Sequence, residues 1–350
     1  MRALSIAAGI AAATLALAAC TFPALPLTGR PDPPATTQSS GPGAEPSVRF
    51  TASGDIAAGT ESEAVIDQIA SISPDLHLAL GDLSYAEAGA EKSWCDFITS
   101  RTGVGFPFEL ISGNHESKGR NGNINDFSAC LPNQLPGLVG TYGRQYYVDV
   151  PQVNPLVRYI MISPGLPYPS GRWSYSEGSK RYRWTAKAID GARSAGIPWV
   201  VAGMHKPCLS VGHYACESGA DLFNLLVAKR VDLVLTGHEH LYARSKQLAL
   251  GPSCEAIEPG SYAAECVSDE DDDLMKGSGT VLAIAGTGGA TLREVHAKDK
   301  EARYFAASSG SNRQPSHGNL DIRVTADALT ARFVPVAGGT FTDAFTITGD

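Results

Sequence analysis

The sequence has no surplus of cations and little charge of either sign. Its 28 Lys+Arg stand against 36 Asp+Glu, charged residues make up 18% of 350, and the formal net charge is −8. A nucleic-acid-binding surface needs clustered cations, so this balance argues against one. It leaves phosphate chemistry open, because bound metal ions can supply positive charge locally. No cysteine lies in a Cys-x-x-Cys zinc pattern, and no tandem repeat or second folding unit is visible. The acidic run Asp269-Glu270-Asp271-Asp272-Asp273 lacks the spaced oxygens and the glycine of an EF-hand loop, so it reads as a solvated loop. What the chain does have is apolar substance, 43% of its residues, enough for one large core or two modest ones. Its 37 glycines and 22 prolines call for long and numerous loops.

The first residues read as an export signal. Arg2 supplies a basic start and Leu4 to Leu17 an Ala-rich apolar run, ending in Leu17-Ala18-Ala19-Cys20. That ending resembles a bacterial lipobox. It implies that Cys20 is the lipid-bearing first residue of the mature chain, anchored on the outer face of a bacterial cell membrane. The alternative is ordinary cleavage nearby and free secretion. Residues 21–46, rich in Pro, Thr, Ser and Gly, read as a flexible tether, and 47–350 as the folded domain. Six further cysteines, an even count in an exported chain, suggest disulfides. The simplest pairing joins sequence neighbours: Cys95–Cys130, Cys208–Cys216 and Cys254–Cys266.

In the folded part, apolar runs alternate with helical patterns. Val48–Ala52 is predicted as a strand ending in Ser53-Gly54-Asp55, and Glu61–Ile72 as a helix with Ala64, Val65, Ile69 and Ile72 on one face. Leu76–Leu80 is a second strand, closing in Gly81-Asp82. A helix is expected around Glu91–Ser100, then a third strand over Phe106–Ile111 that closes in Gly113-Asn114-His115. This alternation predicts βαβ units and a parallel sheet at the centre. Tyr142–Val150 and Val157–Ser163 read as antiparallel partners in a second sheet. Lys180–Ala195 is expected to be helical, Ile197–Ala202 a strand ending in Gly203-Met204-His205, and Asp221–Arg230 a helix. Val231–Thr236 is a strand ending in Gly237-His238-Glu239-His240. Residues 251–278 read as a long loop, Thr280–Ala285 as a strand, and the last segments as antiparallel strands. The class is therefore α/β, one domain of two sheets with helices outside.

Five strand ends thus carry an oxygen or nitrogen donor, mostly beside glycine. Singly, each has a plain structural role available. Asp55 can cap a helix, Asn114 can sit in a turn, and His205 or Tyr85 can pack. Together they hold two carboxylates, a carboxamide, a phenol and three imidazoles. That is too many ligands for one tetrahedral zinc. It suits two metals sharing a carboxylate, about 3.5–4 Å apart, as in two-metal phosphoryl-transfer sites.

Gly54-Asp55, Gly81-Asp82-x-x-Tyr85, Gly113-Asn114-His115-Glu116, the His205 of Gly-Met-His-Lys-Pro, and Gly237-His238-x-His240 resemble the five motif blocks of purple acid phosphatases, a branch of the calcineurin-like metallophosphoesterases. The resemblance spans roughly residues 48–245, and Tyr85 is what selects the branch. It implies a four-layer α-β-β-α sandwich of two mixed sheets flanked by helices. It also implies a ferric ion at Asp55, Asp82, Tyr85 and His240, and Fe(II), Zn or Mn at Asp82, Asn114, His205 and His238, with Asp82 bridging. Hard carboxylate and phenolate oxygens suit a ferric ion, and two imidazoles with an amide oxygen suit a divalent one. A metal-bound hydroxide would then attack a phosphate monoester in line. His115 matches a histidine that binds phosphate or assists the leaving group, and His213 falls near where the family carries further outer histidines. Glu116 and Glu239 either orient imidazoles or face solvent, and His77 reads as core. Two alternatives remain open: a phosphodiesterase or nucleotide pyrophosphatase using the same site, and a non-enzymatic phosphate-binding lipoprotein.

Overall fold

Two apolar layers that alternate residue by residue organise the molecule, a computed structural model that describes residues 45–131 and 133–349. The export signal, Cys20 and most of the expected tether lie outside the described residues. Along Val157–Met161, Val157, Tyr159 and Met161 face a core shared with the other sheet, while Ile160 faces a second apolar cluster under helices. Trp199 and Val201 against Val200 and Ala202, and Leu233 and Leu235 against Val234, repeat the pattern. Strands covered on both faces need continuous apolar runs, which is how these segments read in the sequence.

The first sheet has seven strands in the spatial order Asp273–Met275, Asp343–Thr348, Ala328–Pro335, Gly318–Val324, Val48–Ser53, Leu76–Ala79 and Phe108–Leu110. The last three run parallel, and Val48–Ser53 pairs antiparallel with Gly318–Val324. The second sheet has eight strands: Phe305–Ser309, Tyr242–Ser245, Val281–Ala285, Leu233–Thr236, Trp199–Gly203, Val157–Met161, Gln145–Val150 and Val139–Thr141. Its four strands from Val281–Ala285 to Val157–Met161 are parallel. Between the sheets lie Phe50, Leu78, Tyr159, Trp199, Tyr242 and Phe333. The helices Thr60–Ile72 and Glu91–Thr102 cover the outer face of the first sheet through Ile66, Ile69, Trp94 and Ile98. Lys180–Ser194 and Ala220–Ala228 cover the second through Ala188, Ile189, Leu222 and Leu226. Helix, sheet, sheet, helix is the layering expected.

The differences lie in short elements. The stretch 251–278 is not one loop: it contains the strands Val267–Asp269 and Asp273–Met275 and a 3-10 turn at Ala264–Cys266. Phe305–Ser309 and Val139–Thr141 are edge strands without apolar alternation strong enough to announce them. The three disulfides join Cys95 to Cys130, Cys208 to Cys216 and Cys254 to Cys266, the neighbour pairing.

Candidate metal centre

Strand pairing continues past the ends of the first two strands: Asp55 N donates to Gly81 O (3.0 Å) and Ile56 N to Asp82 O (3.0 Å). The loops carrying the two carboxylates are thereby held in register. Asp55, Asp82, Tyr85 and His238 all adopt positive φ, between 51° and 69°. Such left-handed backbone is costly for residues with a side chain and gathers at functional sites. Gly81, φ +82°, lies so close to the neighbouring loop that a Cβ there would come 2.7 Å from Gly113 N.

The seven residues singled out in the sequence converge at this sheet edge, where α/β folds bind ligands. One group forms around Tyr85. Its Oη lies 3.0 Å from Asp55 Oδ1, 3.3 Å from Asp82 Oδ2 and 2.9 Å from His240 Nε2. The other forms around His205, whose Nε2 lies 3.3 Å from Asp82 Oδ1, 3.1 Å from Asn114 Oδ1 and 3.1 Å from His238 Nδ1. Asp82 therefore turns one oxygen to each group. The second oxygen of Asp55 accepts from His238 N at 2.8 Å, which fixes its carboxylate plane.

The imidazole tautomers show what this arrangement lacks a partner for. His205 Nδ1 donates to Leu80 O (2.8 Å) and His240 Nδ1 to Thr291 O (3.0 Å). His238 Nε2 donates to Glu217 Oε2 (2.5 Å). In the neutral rings His205 Nε2 and His238 Nδ1 thus face each other as lone pairs, beside Asp82 and Asn114 oxygens. Buried acceptors facing acceptors call for a proton or a cation between them. Burial pulls His205 down, yet Asp82 and Asp55 outweigh it and raise its pKa to about 9. Burial likewise opposes ionisation of Asp82, but His205 and His115 hold its carboxyl below the usual range. Burial, then the charges of Asp55 and Asp82, drive the Tyr85 phenol far above its ordinary value. Only a strong Lewis acid beside it would hold phenolate there. The donor set fits a hard, highly charged ion in the first group and a divalent ion in the second.

His115 sits at the edge of both groups. Its backbone N donates to Asp82 Oδ1 (3.0 Å), its ring packs on Tyr85 at 4.5 Å, and its Nε2 lies 3.6 Å from Asp82 Oδ2. His213 is exposed, beside Tyr214, whose ring stacks on His238 at 4.2 Å. His77 is core, its Nδ1 2.9 Å from Thr51 Oγ1. Glu116 and Glu239 are both buried, and among the described residues neither hydrogen-bonds to an imidazole. Glu116 accepts from the amides of Leu83 (2.6 Å) and Gly113 (2.8 Å), tying the Asp82 and Asn114 loops together, and burial raises its pKa to about 8. Glu239 accepts from Tyr214 N (2.5 Å) and Ser210 Oγ (3.0 Å). Beyond Asp55 and Asp82, a carboxylate that does touch a site imidazole is Glu217, and sequence reasoning missed it. The Cys208–Cys216 bridge beside it was its available signal, since it ties that loop back toward His205.

The family model described as Calcineurin-like phosphoesterase matches residues 49–242, more than half of the chain. The chain belongs to the calcineurin-like phosphoesterases. Within this family it is similar to purple acid phosphatase 18 of Arabidopsis thaliana, 26% identical over 223 residues, covering 61% of this chain and 48% of that one. An uncharacterized protein of Mycobacterium tuberculosis is 30% identical over 240 residues, covering 62% and 42%. The chain thus spans about half the length of the curated relatives it matches. Among solved structures, the purple acid phosphatase PPD1 of yellow lupin superposes with a TM-score of 0.66 over 88% of this chain and 55% of that one. At 17% identity, that match speaks for the fold.

Proposed function

We propose that the chain is an exported, dinuclear-metal phosphatase acting on phosphate monoesters. The observation that carries this reading is the Asp82 carboxylate, with one oxygen turned to Tyr85 at 3.3 Å and the other to His205 at 3.3 Å. Asp55, Asp82, Tyr85 and His240 would hold Fe(III). Asp82, Asn114, His205 and His238 would hold Fe(II), Zn or Mn. When bound, the ions supply the Lewis acidity that polarises a phosphoryl oxygen and activates water. Leu80 O, Thr291 O and Glu217 keep the three imidazoles in the tautomers this needs. His115 donates through Nδ1 to Asn121 Oδ1 (2.5 Å), and a second proton, on Nε2, would let that nitrogen hold a phosphoryl oxygen or pass the proton to the leaving group. His213, on the exposed rim, would meet the part of the substrate beyond the phosphoryl group. Residues 47–350 are the catalytic domain in this reading, anchored through a lipid on Cys20. Among the described residues no helix is long and apolar enough to cross a membrane.

The test combines metal analysis, visible absorbance and turnover. The expected result is two ions per chain, a phenolate-to-iron(III) band abolished in Tyr85→Phe, and faster hydrolysis of p-nitrophenyl phosphate than of bis(p-nitrophenyl) phosphate. A colourless, active enzyme with two divalent ions would sink the ferric assignment alone. Faster diester turnover would sink the monoesterase reading, and no turnover with both sites loaded would sink the enzyme.

A further inference from the structure

Beside the second ligand group runs a groove of about 330 Å³, lined by Asn114, Lys118, Arg120, Arg172, Lys206 and Glu217. Three separate segments deliver its cations. Lys118 and Arg120 follow the short helix Asn114–Ser117, Arg172 lies in the hairpin of Pro167–Tyr168 with Gly171–Arg172, and Lys206 follows His205. Such a concentration is unexpected in a chain of net charge −8. The carboxylate on its wall does not cancel it, because Glu217 already accepts from Lys206 Nζ at 2.8 Å and His238 Nε2 at 2.5 Å. Lys118, Arg120 and Arg172 are exposed, and among the described residues none of them ends in an ion pair, whereas Arg101, Arg158, Arg193 and Arg332 do.

Uncommitted cations converging on a concave wall shared with a metal-ligand candidate are a recognition device for anions. Guanidinium forks match phosphoryl oxygens with paired hydrogen bonds. The scissile phosphoryl group already has its place over the Asp82 groups, so the groove cations face whatever is attached to it. We propose that this groove binds a second phosphoryl group, so that the preferred substrates are pyrophosphate-type or bis-phosphorylated compounds. The assignment rests on the phosphatase reading of the same site and names its substrate class. The volume lies at the lower end of ligand pockets, roughly 300–1,000 Å³, which suits a compact second anion rather than a large leaving group. In each substrate water's oxygen bonds to the scissile phosphorus, and the P–O bond to the leaving group breaks with its electron pair on that oxygen. One proton of water goes to that oxygen or to solvent.

The experiment compares kcat/KM of the metal-loaded enzyme for inorganic pyrophosphate, 1,3-propanediol bisphosphate and p-nitrophenyl phosphate. The wild type is expected to favour at least one of the two bis-anionic substrates. In Arg120→Ala/Arg172→Ala that preference should fall roughly tenfold or more, as lost hydrogen bonds to charged groups imply. It should largely return in Arg120→Lys/Arg172→Lys and stay unmoved in Arg323→Ala, an exposed arginine of the first sheet. Calorimetry gives an independent reading: methylenediphosphonate should bind more tightly than methylphosphonate in the wild type and lose that advantage in the double alanine variant. Turnover of p-nitrophenyl phosphate with a preference that the double variant does not change would overturn the groove assignment alone. Absence of turnover on all three substrates would overturn the phosphatase reading and this proposal with it.

Discussion

Glu217 Oε2 accepts from His238 Nε2 at 2.5 Å, on the ring nitrogen opposite the one that faces His205. That hydrogen bond, helped by Lys206, holds the Glu217 carboxyl down to about 2, so it stays charged across the useful pH range. It fixes the His238 tautomer and makes Nδ1 a better donor to a metal. In Glu217→Gln the divalent ion is expected to bind about 10- to 100-fold more weakly, the usual effect of removing such a partner. Metal retained after dialysis against graded chelator measures this, with circular dichroism as the check on folding. Equal retention in variant and wild type would remove Glu217 from the site.

Gly113 tests the carboxylate bridge through shape alone. Its φ of −95° is open to any residue, yet a Cβ there would overlap both the Oδ1 and the backbone N of Asp82. Gly113→Ala must therefore displace the one side chain common to both ligand groups. A shift of even an ångström at a reacting centre costs roughly a hundredfold in rate, and that is the expected loss of phosphatase activity, together with loss of bound metal. Gly105→Ala, whose Cβ would meet nothing within 4 Å, is the control and should behave as wild type. Full activity in Gly113→Ala would mean that Asp82 does not bridge.

The reach of the sequence differed between the fold's interior and its loops. Strands such as Trp199–Gly203 and Leu233–Thr236 are covered on both faces, so their composition alone marks them, and their polar ends mark the site. Asp55, Asp82, Asn114, His205 and His238 were legible because each follows such a strand. Glu217 was not, since its loop has no periodic pattern and its role depends on His238, 21 residues away. Glu116 and Glu239 gave no sign of burial, because the amides that satisfy them belong to other loops. The acidic run is solvated as read, Glu270 to Asp273 being exposed, but it is not all loop. Asp272 and Asp273 carry no apolar signal, yet one pairs with Arg244 and the other starts a strand whose partner is Asp343–Thr348.

Buried titratable groups far down the strands make stability depend on pH. Glu109 is 1% exposed, and burial, opposed by an amide hydrogen bond from Leu135, raises its pKa from 4.5 to about 7. Between those values the folded state keeps a proton that the unfolded state has lost, so this group's contribution falls as pH rises from about 4.5 to 7 and is flat above. The shift sets a ceiling of about 3 kcal/mol on the loss. His77 acts in the opposite sense. Burial lowers it from 6.5 to about 3, so its contribution falls as pH drops through that window. Urea midpoints between pH 4.5 and 8 should show Glu109→Gln gaining on the wild type as pH rises to 7, then running parallel to it. Parallel curves throughout would mean Glu109 is ionised when folded.

Arg244 and Asp343 close the sandwich at the edge away from the helices' strands. Arg244 lies in the second sheet, 2% exposed, and grips Asp343 of the first sheet through Nε (2.8 Å) and a terminal nitrogen (2.9 Å). Tyr242 Oη donates to the same carboxylate at 2.8 Å. In Asp343→Ala the buried guanidinium loses two of its hydrogen bonds and the buried phenol loses its acceptor, and breaking such a pair from one side costs about 3–5 kcal/mol. Asp272 also pairs with Arg244, at 2.6 Å, but its side chain is 67% exposed. An exposed partner contributes at most about 1 kcal/mol, so Asp272→Ala should be mild. Urea unfolding of the two variants separates these cases: Asp343→Ala should lower the midpoint several times further than Asp272→Ala. Similar shifts would mean that water reaches Arg244 and that the two sheets are not clamped there.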